Sequence, residues 1–592
     1  MAEPALRVGA SLSGRRWLWS AQAHPDADRL SAAIAQRCGL PEIVGRLLHG
    51  RGISPDAAAL FLEPTLRALL PDPSCLIGMD EAAARLADAV RRQETVGIFG
   101  DYDVDGACAT ALLASVLREL GCSVLTHVPD RVREGYGPNA PALLALHASG
   151  ASLIVCVDCG TAAPEPLAAL AGRADVLILD HHKAEGPPPP VLATVNPNRL
   201  DCRSGLGSLC ATAITFLAAV AALRVLRNTN GLTTAPDLLG LLDLVALATI
   251  CDVMPLAGLN RAFVTQGLKI MARRHRIGLN ALLEIASVQE APSALTCGFA
   301  LGPRINAGGR ISEADLGLRL LLCQDADEAR LLAERLDAVN RQRRHVEAAI
   351  IDRALEQAET QIAAGHAVLL LSGPDWHQGV VGIVAGRVKE ALNRPTLVAA
   401  LLDDGTIKGS GRSVSGLDIG TAVIAARQAG LLLTGGGHAM AAGFSLAADK
   451  LAAFHAFLDE RLASSRDLLA TRDLLIDGAL DVTGATIELA AHIDQLAPFG
   501  AGNEEPVFAL ARARVVHAER IGKGGNTLRA QLEGEAGGPR LKALLFRAGD
   551  TPLARAMEAR DGARLHLAGQ LRAEEWNGRR TAGFFIVDGA PA

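Results

Sequence analysis

The chain has 592 residues, 49% of them hydrophobic and 21% charged, with a net charge of -6. That is enough apolar side chain for several cores, which excludes a disordered chain, and enough acid to exclude one that is basic throughout. Aromatic residues make up only 3%, so the cores must be built from Leu, Val, Ile and Ala. The 11 cysteines are scattered through apolar stretches, no secretory signal precedes residue 30, and no apolar run reaches about 18 residues without charge or turn residues. The expected setting is a reducing cytoplasm with no membrane. The most apolar segment, 205–223, carries glycines and small polar residues that suit a buried helix.

Residues 1–75 read as a helical accessory region. From residue 96 strands and helices alternate. VGIFG (96–100) is a strand and Ala107–Leu120 a helix. SVLTHV (123–128) is a strand, Ala140–Ser149 a helix and LIVCV (153–157) a strand. Glu165–Ala171 is helical and VLIL (176–179) is a further strand. This alternation predicts a doubly wound, mostly parallel sheet, and residues 205–290 look largely helical. From Leu318 to Ala364 there is neither Gly nor Pro. Asp325 is a natural N-cap with Glu328 at capping-box spacing, and a helix over 325–364 would run about 60 Å, the kind of long polar helix that bridges domains. A second α/β unit follows, with strands at 367–372 and 395–401, a helix near 379–392, a Gly-rich turn GGGHAMAAG (435–443) and a helix at 448–463. After about residue 475 short alternating runs predict a small β-barrel, and residues 511–592 hold 14 Lys+Arg against 9 Asp+Glu, a local excess of +5.

Carboxylates stand just after several of the apolar runs. Asp101 and Asp103 follow VGIFG, Asp158 follows LIVCV, Asp180-His181-His182 follows VLIL and Asp252 ends LVALATIC. Burying a carboxylate is costly unless it is paired or binds a metal, and ligands of α/β sheets lie beyond the carboxyl ends of the strands. Asp252 also opposes the dipole at its helix C-terminus, so a cation beside it is favoured. Mixed carboxylate and imidazole donors suit Mn²⁺ or Mg²⁺, and two such ions can activate water and stabilise the leaving oxygen in phosphoryl displacement. An EF-hand reading of DYDVDG fails because its twelfth position is Leu112. Cys156-x-x-Cys159 lies in a strand with no second pair at matching spacing, against a zinc site.

Together these motifs resemble the DHH phosphoesterase superfamily. VPDRVREGYGP (128–138), LATICDVMPL (247–256), GPRINAGGR (302–310), WHQGVVGIVAGR (376–387), GSGRS (409–413), GGGHAMAAG (435–443) and APFGAGNEEPVF (497–508) are similar to the successive motifs of its RecJ-type single-strand-specific exonucleases. The resemblance implies an α/β protein with a DHH catalytic domain (76–324), a connecting helix (325–364), a DHH-associated substrate domain (365–470) and an OB-fold barrel (475–592). It implies two ions, Mn²⁺ or Mg²⁺, on Asp101, Asp103, Asp158, His181 and Asp252. Asp180 would orient His181, His182 would act at the scissile phosphate and Asp105 would be structural. Many superfamily members carry a His where this chain has Phe99, which puts one metal site in question. Arg131, Arg304, Asn306, Arg310, Ser410, Arg412 and His438 would contact the strand, with the GGGHAMAAG backbone cradling phosphate and Trp576 stacking on a base of the barrel-bound segment.

The activity so implied is 5′→3′ degradation of single-stranded DNA to 5′ mononucleotides in recombination and repair, with a single-strand-binding protein and a RecQ-type helicase as partners. Two alternatives are a DHH phosphodiesterase of short oligonucleotides or small nucleotides and a non-catalytic single-strand-binding relative. The barrel and GPRINAGGR argue against the first, the intact ligand set against the second.

Overall fold

The computed structural model describes residues 3–20, 26–131, 133–135, 137–184, 186–229, 235–463, 472–559, 564–576 and 579–592, apart from the side chains of Lys523, Trp576 and Arg579. By its internal contacts the chain divides into two units. One holds Thr65–Arg466 with Gly500–Gly502. The other holds Met1–Pro64, Asp467–Phe499 and Asn503–Ala592.

In the first unit the alternating apolar segments form a five-stranded, all-parallel sheet. Its order is Ser123–His127, Thr95–Gly100, Leu153–Val157, Asp175–Leu179, Ala193–Val195. Both faces are covered, which is why the strands are continuously apolar rather than alternating. On one face Val96, Ile98, Val155 and Leu177 pack with helices Met79–Arg92, Val104–Glu119 and Ala211–Asn228. On the other, Phe99, Ile154 and Ile178 pack with helix Ala140–Ala148. Helix Ala211–Asn228 has the length and apolarity of a membrane span, yet it is mostly buried inside the core. Asp105 explains its start: the carboxylate accepts from the N–H of Ala211 (2.6 Å) and Thr212 (2.9 Å) and from the Thr212 hydroxyl (2.6 Å). Asp105 is therefore a buried helix cap.

Asp325 caps a single helix, Ala326–Ala363, by accepting from the Glu328 N–H at 2.8 Å. Helix and cap lead into a mixed five-stranded sheet of order Thr434–His438, Ala441–Ala447, Thr406–Arg412, Thr396–Leu401, Leu369–Gly373. Here one glycine-rich segment differs from its sequence reading. GGGHAMAAG is a β-hairpin, with Gly436 opposite Gly443 and His438 opposite Ala441. GPRINAGGR is a helix, Gly302–Ile311, entered through a π-helical turn at Thr296–Leu301. Pro303 sits in its first turn, where no N–H is required. Gly309 is needed because a Cβ there would lie 2.8 Å from the Tyr102 carbonyl.

The second unit is built from both parts of the chain. Strands Phe508–Ile521, Thr527–Glu533, Leu541–Phe546, Arg579–Pro591 and Arg564–Trp576 close into a barrel through pairing of the first with the last. A helix, Pro552–Glu558, lies between the third and fourth strands in sequence. The N-terminal residues belong to this barrel and are not wholly helical as expected. Arg15–Trp19 is a strand pairing in parallel with Arg472–Ile476, and Ile34, Val44, Leu47 and Leu48 complete the barrel core.

Candidate active site

Strand order reverses between Thr95–Gly100 and Leu153–Val157, each flanked on its far side by a later strand. The crevice beyond such a switch point is where open α/β sheets bind ligands, and Asp101 and Asp158 leave the sheet there. Asp101 is buried, and its loop turns back tightly enough that a Cβ on Gly106 would lie 2.4 Å from the Asp101 carbonyl. Asp103 caps the following helix, accepting from the Gly106 N–H at 3.0 Å. Asp158 adopts φ of +61°, a left-handed conformation costly for a non-glycine residue and typical of functional sites. Carboxylate oxygens of Asp101, Asp103 and Asp158 lie within 4.8 Å of one another.

Imidazoles complete the cluster. His181 Nε2 lies 3.3 Å from Asp158 Oδ1 and 3.5 Å from Asp252 Oδ2. It is also 3.8 Å from Asp105, whose oxygens are already taken by the cap. Asp180 does not orient the His181 ring as expected. Its Oδ1 accepts from the backbone N–H of His181 (2.7 Å) and His182 (3.1 Å) and pairs with Nδ1 of His182 at 2.8 Å, while Oδ2 accepts from the Thr161 N–H at 3.1 Å. Burial opposes ionisation of Asp180, but His182, Thr161 and the backbone donors hold it below the usual carboxylate range. His182 responds in the opposite sense. Burial disfavours its charge, yet Asp180, Asp101 and Asp252 raise it to about 9.

The carboxylates behave as a site waiting for positive charge. Asp101 is pushed well up by burial and by Asp103. Asp158 is pushed well up by burial and by Asp105, Asp103, Asp101 and Asp180. Asp252 rises to about 8 through burial and the charges of Asp105 and Asp103. Asp101 Oδ1, Asp158 Oδ1 and Asp252 Oδ2 are buried and accept no hydrogen bond among the described residues. Orphaned buried oxygens of this kind are expensive and are what divalent cations satisfy. The oxygen-rich donor set with one imidazole fits Mn²⁺ or Mg²⁺. Phe99, two residues before Asp101, lies in the core with its ring 5.2 Å from that of His127.

Beside the carboxylates stands a group of guanidiniums. Arg310 is pushed down to about 10 by burial and by the charges of Arg131 and Arg343. Arg412 is lowered by burial and by Arg131. Arg131 sits 5.2 Å from the Tyr102 ring centroid, and burial raises the Tyr102 phenol to about 12. Arg310 donates to the Gly379 carbonyl (3.2 Å), and Arg412 to Ser410 Oγ (3.0 Å) and the Gly411 carbonyl (2.8 Å). Among the described residues no carboxylate forms an ion pair with Arg131, Arg310 or Arg412. Mutually repelling, unneutralised guanidiniums are a receptor for phosphate oxygens. Asn306 is on the same helix as Arg310 and has a buried, unbonded Oδ1.

Other expected strand contacts are placed differently. Arg304 is bound to Asp337 of the long helix at 2.9 Å and to the Ala300 carbonyl at 2.7 Å, so it fastens two helices rather than a phosphate. His438 is exposed near the tip of its hairpin, on the edge strand Thr434–His438, which pairs on one side only, with Ala441–Ala447. The side chain of Trp576 lies outside the described residues. Sequence reasoning missed Arg343, which donates to Asn340 Oδ1 (3.0 Å) and Glu347 Oε2 (2.7 Å) and adds its charge to that around Arg310. The signal was present: Asn340, Arg343 and Glu347 occupy the inward stripe of the long helix between Leu336 and Ile350.

Comparison with known proteins agrees with this architecture. Residues 95–249 match the DHH family, N-terminal domain, residues 363–464 the DHHA1 domain, and residues 476–588 the RecJ OB domain. The single-stranded-DNA-specific exonuclease RecJ of Escherichia coli (strain K12) is 36% identical over 564 residues, covering 92% of this chain and 95% of that protein. The crystal structure of RecJ from Thermus thermophilus in complex with Mn²⁺ superposes with a TM-score of 0.78 at 31% identity, over 95% of this chain and 78% of that one. The Mg²⁺ complex from the same organism gives 0.74 at 29%, over 95% and 77%. With three domain matches in order and such a relative along nearly the whole length, the chain belongs to the RecJ family of single-stranded-DNA-specific exonucleases.

Proposed function

We propose that this chain hydrolyses single-stranded DNA from its 5′ end to 5′ mononucleotides, using two ions, Mn²⁺ or Mg²⁺, in recombination and repair. The observation that carries this reading is the juxtaposition of two opposite deficits of charge: buried carboxylate oxygens without donors, and guanidiniums without acids. Asp101, Asp103, Asp158, His181 and Asp252 would hold the ions. Bound there, divalent cations lower the proton affinity of water and neutralise charge developing on the leaving oxygen. The rest falls to the protein. Arg131, Arg310 and Arg412 grip phosphate, and Ser410 orients Arg412. His182, its Nδ1 held by Asp180, would pass a proton to the leaving oxygen of the scissile phosphate. Strand-end capture by clustered arginines explains exonucleolytic rather than internal cutting.

The deciding experiment uses single-stranded DNA labelled at either end, with Mn²⁺ or with EDTA, on the natural chain and Asp158→Ala. Mononucleotides released from the 5′ end only with metal, absent from duplex and abolished in Asp158→Ala, are expected. Strand binding without cleavage would instead identify a non-catalytic relative. A single-strand-binding protein and a RecQ-type helicase are the partners we infer, in the cytoplasm. Co-sedimentation with each purified protein tests them.

A further inference from the structure

Arg131 lies between strand Ser123–His127 and helix Ala140–Ala148, where neither a strand nor a helix ladder fixes the backbone. A single carboxylate fastens this segment. Glu134 Oε1 accepts from the Asp130 N–H at 2.9 Å. Its Oε2 accepts from the Asn139 amide at 3.0 Å and pairs with His127 Nε2 at 2.9 Å. A carboxylate only accepts, so that ring nitrogen carries the proton. Burial opposes the charge of Glu134, but these donors hold it below its ordinary range. Backbone bonds tighten the same turn: the N–H groups of Glu134 (2.8 Å) and Gly135 (3.2 Å) donate to the Asp130 carbonyl, and Asp130 Oδ1 accepts from the Arg133 N–H at 3.0 Å. Glu134 thereby joins the last residue of the strand, the residue before Arg131 and the N-cap of the following helix.

The fastening reaches back to the strand that carries the metal ligands. Phe99 is the register partner of His127, is fully buried, and lies two residues before Asp101. Its ring, 5.2 Å from the imidazole, gives His127 a fixed floor. The side chains of His127 and Glu134 are themselves 31% and 29% exposed. A contact so open to water adds little to stability, so its consequence is the placement of the loop rather than the survival of the fold. We propose that Glu134 is a positioning residue for Arg131: supported by His127 and Phe99, it fixes Asp130 and so sets the neighbouring guanidinium beside Tyr102 before a phosphate arrives. Order established in advance lowers the entropy lost on binding. The use of Arg131 on phosphate rests on the exonuclease reading above. The position at which many superfamily members carry a histidine then has a role here as the foundation of the phosphate loop.

The test compares the full natural chain with Glu134→Ala, Arg131→Ala and the double variant on single-stranded DNA in Mn²⁺. Hydrogen exchange of the peptide spanning Asp130 is followed on the same preparations. Glu134→Ala should raise KM about tenfold, as the loss of one charge-assisted contact does, with a smaller change in kcat and little change in melting temperature. It should also speed exchange around Asp130. Arg131→Ala should raise KM similarly without speeding exchange, and the double variant should be no worse than Arg131→Ala alone. His127→Gln keeps a side-chain N–H donor and should stay close to the natural chain, whereas His127→Leu should follow Glu134→Ala. A KM unmoved in Glu134→Ala, or single effects that multiply in the double variant, would overturn the proposal. Should Arg131→Ala leave KM unchanged, the phosphate reading of that arginine would fail, while faster exchange in Glu134→Ala would still establish the fastening of the loop. Unchanged exchange in Glu134→Ala would remove the fastening itself.

Discussion

Replacing Asp158 by Asn removes an ionisable group from a pocket where burial and four neighbouring carboxylates oppose its ionisation. Metal-free Asp158→Asn should therefore unfold at a higher temperature than the natural chain. Mn²⁺ at a hundred times its dissociation constant should stabilise the natural chain by about 2.7 kcal/mol per site, and the variant far less, with cleavage down roughly a thousandfold. Calorimetry with and without Mn²⁺ checks this; a full metal-induced shift in the variant would remove Asp158 from the ligand set. A second residue sets a pH dependence. Burial pushes the Asp459 carboxyl up, but the N–H groups of Ala367 and Val368 and the His366 ring overcome it and hold it below its ordinary value. The folded state thus binds this proton less readily than the unfolded state. Its stabilising contribution is complete above about pH 4 and disappears on acidification through the folded value. Asp459→Asn should cost about 1 kcal/mol at neutral pH and progressively less as the pH falls below about 4, as read by denaturant titration. The four carboxylates among the proposed metal ligands stood out because a carboxylate after an apolar run is anomalous in itself, and His181 because it follows one of them in the sequence. Arg304 was not, because whether an arginine is free for phosphate depends on Asp337, which lies 33 residues away.

The long helix was visible from its missing glycines and its Asp325 cap, as was its connecting role, but the polar groups on its buried stripe were not. Asn340, Arg343 and Glu347 continue an apolar stripe with polar groups, and Glu347 also reaches Arg387 at 3.4 Å. Arg343→Ala should leave Glu347 buried without its closest partner, costing about 3 kcal/mol, and should weaken strand binding by relaxing the charge around Arg310. Thermal unfolding and anisotropy on the same preparation separate the two effects. Glycine has poor propensity for helix and strand alike, so GGGHAMAAG reads as a turn and GPRINAGGR gives no element signal of its own. Tertiary contact decides otherwise, since the close approach of helix Gly302–Ile311 to Tyr102 leaves no room for a side chain at Gly309.

Across the whole molecule, the parallel sheet could be read because each strand and helix is a local pattern. The attachment of residues 3–64 to the C-terminal barrel could not, because pairing across 457 residues leaves no local trace. Trp17 shows how firmly that attachment is made. It is fully buried, and its indole N–H donates at 2.9 Å to Asp588, itself fully buried. Trp17→Phe should leave that carboxylate short of a donor and destabilise the barrel unit by about 2 kcal/mol, while the unit containing the metal ligands keeps its own transition in calorimetry. The same attachment has a consequence for synthesis. At roughly 5–20 residues per second on the ribosome, strand Arg15–Trp19 emerges about 20–90 seconds before its partner Arg472–Ile476 is made. Ile34, Val44, Leu47 and Leu48 must wait uncovered for that time while the catalytic unit is completed in between. The nascent chain is therefore a natural client for chaperones that shield apolar surface early and release it late.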